Sequence, residues 1–189
     1  MKTKLKISNG NSKIGKDTLI LNITSATDCP SKKLGLCKHA DKCYAMKAER
    51  QYKQVLPFRR EQTMQWDRGV YNIYDEIIKM PKVIKGNIKY LRFSESGDFR
   101  SQEDINNMSL LAEWLKERNI YIYGYTARKD LDFSNVSDNM TVNGSGFMLH
   151  NEFKAVYEYS NNALQCLGDC KICNRCKYRT GKTIEVKYH

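Results

Sequence analysis

The chain has 189 residues, enough for one substantial core, and nothing in its composition forces a second. Its 32 Lys and Arg outnumber 21 Asp and Glu, and no apolar run approaches the length of a membrane span, so a membrane is not an expected partner. The start, Met1-Lys2-Thr3-Lys4-Leu5-Lys6, is followed by no apolar secretory segment, which makes the cytoplasm the expected compartment. In a reducing cytosol seven cysteines, an odd number, point to metal ligation rather than to disulfides. The net charge of +11 is concentrated in the first twenty residues, the first cysteine loop and the stretch after Cys166. Such patches suit a polyanion, nucleic acid first, or else form a solvated lysine-rich surface.

In chain order, Asn9-Gly10-Asn11 is a turn signal, and the β-branched apolar run from Thr18 to Thr24 predicts a buried strand. The first cysteine loop follows it. Residues 45–54 suit a helix, and Pro57 marks the start of another. From there Trp66, Val70, Ile73, Tyr74, Ile77 and Ile78 recur at helical spacing, predicting one long helix to about Met80 that Pro81 ends. Ile88 to Phe93 reads as a second strand. It delivers Ser94-Glu95-Ser96-Gly97-Asp98-Phe99 at its C-terminal end, where α/β folds place their sites. Ser101, with Asp104 three residues on, is expected to cap a helix whose buried stripe is Ile105, Met108, Leu111, Ala112 and Leu115, and Asn119 to close it. Ile120 to Thr126 is a third strand; Met140 to Asn143 and Phe147 to Leu149 supply one or two short ones, and from about Asn151 the pattern weakens.

Alternating strands and helices build a parallel sheet with right-handed crossovers, and the units are too few for a closed barrel. The expected fold class is α/β: a partial, open βα barrel with mostly parallel strands over residues 1–160, then a cysteine-rich C-terminal tail, residues 161–189, held more by metal than by a core. Glu95 and Asp98 suit a substrate amine, Asp98 equally the cap of the next helix. Tyr121, Tyr123 and Tyr125 alternate along a strand, as an aromatic face for bases or as core. Arg92, Arg128 and Lys129 lie near strand ends, either to meet phosphate or carboxylate or as surface charge.

The seven cysteines divide into three and four. Cys166, Cys170, Cys173 and Cys176 include the Cys-x2-Cys-x2-Cys run that wraps ferredoxin-type clusters, whereas zinc takes two knuckles with a longer spacer. Cys29, Cys37 and Cys43 match no standard spacing. Three thiolates on a 4Fe-4S cluster leave an iron open to a small molecule, and His39 is an alternative fourth ligand. One or two 4Fe-4S clusters are therefore expected, with zinc as the alternative metal.

Asn11-Ser12-Lys13-Ile14-Gly15-Lys16, Cys29-Pro30, Cys37, Cys43-Tyr44-Ala45-Met46-Lys47, Phe93-Ser94, Ser96-Gly97-Asp98-Phe99, Tyr125-Thr126 and the cysteine tail together resemble the phage gene product 88 family. The resemblance implies a protein of a bacteriophage or mobile element, working in the host cell cytoplasm, and implies no particular reaction. More distantly, a first strand, a three-cysteine loop ending in Cys43-Tyr44-Ala45 and a second strand with a glycine and acid motif resemble radical S-adenosylmethionine enzymes. That likeness implies S-adenosylmethionine at the open iron, with Ser94, Glu95, Ser96, Gly97 and Asp98 around its amino group. The cysteine spacing of x7 and x5 departs from that superfamily's x3 and x2, and the chain is shorter. Two functions stand as expectations: an iron–sulfur protein with a small-molecule site, enzymatic or not, and a basic nucleic-acid-binding protein with structural or redox-sensing metal.

Overall fold

The computed structural model describes residues 5–188; the basic start before Leu5 and His189 lie outside the described residues. Eight strands form one open sheet in the order β1-β2-β3-β4-β5-β6-β8-β7. They are β1 (Ser8–Asn9), β2 (Thr18–Leu21), β3 (Tyr90–Phe93), β4 (Tyr121–Thr126), β5 (Met140–Ser145), β6 (Asn151–Val156), β7 (Leu164–Gln165) and β8 (Thr183–Lys187). All pairings are parallel except that of β1 with β2. Right-handed crossovers that always step in one direction put their helices on one face. The helices are α1 (Pro30–Lys33), α2 (Tyr44–Gln51), α3 (Val55–Trp66), α4 (Val70–Ile78), α5 (Pro81–Ile84) and α6 (Gln102–Lys116).

The pleat sends alternate residues to opposite faces. Leu19, Leu21, Leu91, Phe93, Ile122, Met140 and Val142 join Trp66, Ile73, Ile77, Ile105, Met108, Leu111 and Leu115 in one core between sheet and helices. Burying each of the larger side chains contributes about 1.5–3 kcal/mol. Gly124 lies in register with Phe93, and a Cβ there would stand 2.6 Å from the Phe93 ring, so this core position requires glycine. The other face is polar and aromatic: Tyr90, Arg92, Tyr121, Tyr123, Tyr125, Thr141 and Asn143.

A segment from the cysteine-rich region covers that face. Tyr178 meets the rings of Tyr90 and Tyr121, with centroids 6.4 and 5.2 Å apart. The Lys177 ammonium sits 4.0 Å from the Tyr90 centroid. Asn143 donates to the Cys176 carbonyl and Asn151 to that of Tyr178, each at 2.9 Å.

The open, mostly parallel α/β sheet matches the sequence expectation, and three details differ. The long helix expected to reach Met80 is two, because Gly69 has φ +105°, which breaks the helix, and Pro81 opens a further short helix. Ser101 is the N-cap of α6 without a side-chain cap bond; Asp104 instead accepts from Arg100 N and from Trp66 Nε1, both at 2.8 Å. The stretch expected as a tail is built into the sheet: β7 and β8 belong to it, and β8 pairs with β6 over five residues. Their pattern was weak because β7 is a two-residue strand at the sheet edge and β8 carries the polar Thr183 and Glu185 among its apolar residues.

His150 tests the packing of β5. Its Nδ1 accepts the Val142 N–H at 3.0 Å, and burial, reinforced by the Arg179 charge, lowers its pKa from 6.5 to about 4. Between those values the unfolded chain binds a proton that the folded chain refuses, so stability is full above pH 6.5 and declines as pH falls toward 4. In denaturant titrations, wild type is expected to lose on the order of 2 kcal/mol over this interval relative to His150→Asn, which keeps an acceptor and does not titrate. Parallel pH profiles would contradict this.

Candidate functional site

The segments that follow β2, β3 and β4 build one rim. After β3 the chain turns sharply at Ser94, a non-glycine residue at φ +53°. Gly97, at φ +72°, then brings the loop against the segment after β2; a Cβ there would lie 2.0 Å from Thr24 Oγ1 and 2.4 Å from the Thr24 carbonyl. Thr24 Oγ1 accepts from Asp98 N at 2.8 Å and donates to the Asp98 carbonyl at 2.9 Å. The Asp98 carboxylate is buried and accepts four bonds: from Ser31 Oγ at 2.5 Å, Thr126 Oγ1 at 2.6 Å, and the N–H groups of Ala127 and Phe99, both at 2.8 Å. Burial raises its pKa against the pull of those donors. Ser31 is two residues from Cys29, so this carboxylate ties the first cysteine loop to the ends of β3 and β4.

A second buried acid, Glu49 on α2, fixes the start of that loop. It accepts from the N–H groups of Ala26 and Thr27 at 2.8 and 2.9 Å, and pairs with Arg59 at 2.9 Å with both side chains nearly excluded from water. Arg59 also donates to the Ala45 carbonyl at 3.0 Å. Breaking such a pair from one side costs about 3–5 kcal/mol. Asn22 completes the underside, accepting the Ser96 N–H at 2.9 Å.

On this frame Cys29 is the N-cap of α1, with Pro30 as the first helical residue, and Cys43 is the N-cap of α2. Burial pushes the Cys29 thiol up to about 11 and also raises Cys37, with Asp98 adding to both. In the second group burial pushes Cys176 up to about 12, and Cys166, Cys173 and Cys170 act on it in the same direction. The neighbouring Tyr125 hydroxyl opposes that rise. Cys170 N donates to the Lys13 carbonyl at 2.9 Å, docking this group on the Asn11–Gly15 turn, which Asn11 Oδ1 itself organises.

Arg92 acts electrostatically toward both groups. It is in register with Tyr123, its guanidinium carbon stands 5.4 Å from the Tyr125 ring centroid, and its charge acts on Cys170 and on Tyr44, the neighbour of Cys43. Tyr44 is 62% exposed, and its hydroxyl donates to the Glu95 carbonyl at 2.6 Å. Among the described residues three buried side-chain polar atoms lack a partner: Arg92 Nε, Ser94 Oγ and Tyr123 Oη. Arg92 and Tyr123 are register partners on the polar face of the sheet, and Ser94 follows β3 directly.

Of the residues expected around a ligand, Ser94 keeps a buried hydroxyl without a partner, the Glu95 carbonyl accepts from Tyr44, Ser96 bonds to Asn22 and Glu49, Gly97 makes the close approach, and Asp98 is fully engaged by protein donors. All seven thiols are free, a donor set suited to a soft metal or an iron–sulfur cluster. No three His, Cys, Asp or Glu among the described residues form a ready set for one metal ion. His39 instead meets the Tyr188 hydroxyl at 3.1 Å. Sequence reasoning missed Thr24, Ser31 and the Glu49–Arg59 pair, which look like ordinary loop and helix-surface residues.

Residues 2–178 match the family described as gene product 88. The chain belongs to the gene product 88 family. The matched span takes in both cysteine groups and the segment that covers the sheet, and the resemblance read from the motifs is borne out at this level. No curated protein and no solved structure matches this gene product 88 chain.

The rim makes two predictions for denaturant unfolding. Gly97→Ala must move the Thr24 backbone and is expected to cost at least about 2 kcal/mol. Asp98→Asn turns a donor toward donors and is expected to cost about 2 kcal/mol, whereas Glu95→Gln, whose carboxylate has no ion pair among the described residues, changes stability by no more than about 0.5 kcal/mol. Equal effects of the two acid variants would contradict the role given to Asp98.

Proposed function

We propose that this gene product 88 protein is an iron–sulfur protein with a small-molecule site, in which the chamber around Arg92 lies between two cluster-binding cysteine groups. The observation that carries the reading is the meeting of groups far apart in sequence: Arg92, in register with Tyr123 and 5.4 Å from the Tyr125 ring, acts electrostatically on Tyr44, the neighbour of Cys43, and on Cys170. Cys166, Cys170, Cys173 and Cys176 would hold a 4Fe-4S cluster with four thiolates. Cys29, Cys37 and Cys43 would hold one with three. Bound clusters would supply one-electron transfer and, at the three-thiolate site, a coordination position for a small molecule. Lys171, Arg175 and Lys177 would offset the thiolate charge, while Tyr125 stacks on Arg92 and Tyr44 would flank the site.

Consecutive parallel strands in chain order are also how a partial βα barrel is built, which supports the finer, radical-S-adenosylmethionine-like reading. S-adenosylmethionine is then the small molecule, and Glu95 rather than the saturated Asp98 meets its amino group. A reducing host cytoplasm would keep all seven thiols available.

Iron and acid-labile sulfide in anaerobically purified protein test the reading. Wild type is expected to carry both, Cys37→Ala to lose one share and Cys173→Ala the other. Zinc without sulfide would replace iron–sulfur by the alternative metal, and a Cys37→Ala protein with unchanged iron would remove the first site.

One observation favours a second reading, nucleic-acid binding. A cleft of about 860 Å³ beside Cys43 is lined by Lys32, Lys42, Lys47 and Arg50. If it takes a phosphate backbone, affinity for single-stranded DNA falls steeply with salt, and replacing Lys42 and Lys47 together by Gln lowers the slope of log K against log salt by about 1–2. An unchanged slope would remove it.

A further inference from the structure

Two buried arginines in this protein are matched by their surroundings, whereas Arg92 is half-buried. Arg59 has Glu49 and the Ala45 carbonyl; Arg128 has Asp130 and the Phe99 and Arg100 carbonyls. Arg92 is the exception. Among the described residues it makes no hydrogen bond or ion pair, its Nε is buried without a partner, and only the Tyr125 ring stacks on it. Its register neighbours are the apolar Ile20 on β2 and Tyr123 on β4, whose own hydroxyl is buried and unpartnered. Two residues along the chain, the Ser94 hydroxyl is in the same condition, on a residue held at φ +53°. Lys177 adds a second cation to this face, 3% exposed and resting on Tyr90 with no ion pair among the described residues.

A half-buried guanidinium whose Nε is shut away without an acceptor leaves part of its planar fork open to one, and that fork matches a carboxylate or phosphate. The Tyr123 hydroxyl on the neighbouring strand and the Ser94 hydroxyl at the end of β3 are donors that likewise lack a protein acceptor. We infer that Arg92, with Tyr123 and Ser94, recognises the carboxylate or phosphate of a small organic molecule whose body lies against Tyr44 and Tyr125. This inference rests on the chamber being the ligand site proposed above, but it does not depend on which metal the cysteines hold. The covering segment that carries Lys177 and Tyr178 makes this a place for a small anion, unlike the open basic cleft beside Cys43.

The test uses the full chain, purified anaerobically, with benzoate, phenyl phosphate and the neutral benzamide as probes, followed by ligand-observed nuclear magnetic resonance. At least one of the two anions is expected to bind and benzamide not, and the anion preferred distinguishes a carboxylate site from a phosphate site. Arg92→Gln is expected to weaken the anion by roughly tenfold or more. Arg92→Lys should retain part of the affinity, and Tyr123→Phe should weaken it severalfold with no loss of thermal stability. Arg60→Gln, on an exposed pair with Asp28, serves as the control that leaves binding unchanged. Iron, sulfide and zinc are measured on the same samples. Loss of anion binding with the metal content unchanged supports the inference. Loss of binding in a protein that never carried iron supports it too, while removing the iron–sulfur reading. Equal binding by wild type and Arg92→Gln, no binding of either anion to wild type, or equal binding of benzamide would each overturn it.

Discussion

One buried carboxylate holds the rim together. Asp98 accepts from the first cysteine loop through Ser31, from the end of β4 through Thr126 and Ala127, and from its own loop through Phe99, while its backbone bonds to Thr24 beyond β2. The two Oγ contacts, at 2.5 and 2.6 Å, are the shortest of the four. Three strand ends and a cysteine loop thus share one acceptor. The contact demands glycine at position 97, because any Cβ there would occupy the space of Thr24.

The position of that loop matters because of what comes back to meet it. The chain leaves the sheet after β7, passes through the second cysteine group, covers the polar face with Lys177 and Tyr178, and re-enters the sheet as β8. Each stage is tied to backbone: Cys166 N to the Glu185 carbonyl at 2.7 Å, Cys170 N to that of Lys13, and Asn143 and Asn151 to the carbonyls of Cys176 and Tyr178. The apolar face of the sheet holds the core, and the opposite face lies under the segment that carries Lys177 and Tyr178. Arg92, Ser94 and Tyr123 each keep a buried polar atom without a partner, which the proposed ligand site would explain.

What could be read from the sequence follows from periodicity. Thr18–Leu21, Tyr90–Phe93 and Tyr121–Thr126 are short apolar or β-branched runs, and α6 carries an unbroken buried stripe with Asn119 at φ +55° closing it, so these elements were legible. β6, β7 and β8 were not, because Asn151, Glu152, Thr183 and Glu185 place polar residues in strands whose acceptors and donors are supplied by distant segments. The break at Gly69 was hidden by apolar residues that keep helical spacing on both sides of it. For the site, the cysteines and the 94–98 loop were legible by residue type and by place in the fold. The division of labour within the loop was not: nothing in the string distinguishes a saturated Asp98 from an available Glu95, since that depends on Ser31 and Thr126, which lie 67 and 28 residues away.

The central claim is that the two cysteine groups face one chamber and that both carry clusters. The most direct measurement is the electron paramagnetic resonance spectrum of anaerobically prepared, fully reduced protein, compared with those of Cys37→Ala and Cys173→Ala variants that each retain one group. The account predicts a wild-type spectrum broadened by magnetic coupling between two neighbouring centres, and a simpler spectrum in each variant. A wild-type spectrum equal to the plain sum of the two variants, or one that keeps a single centre in all three proteins, would contradict it.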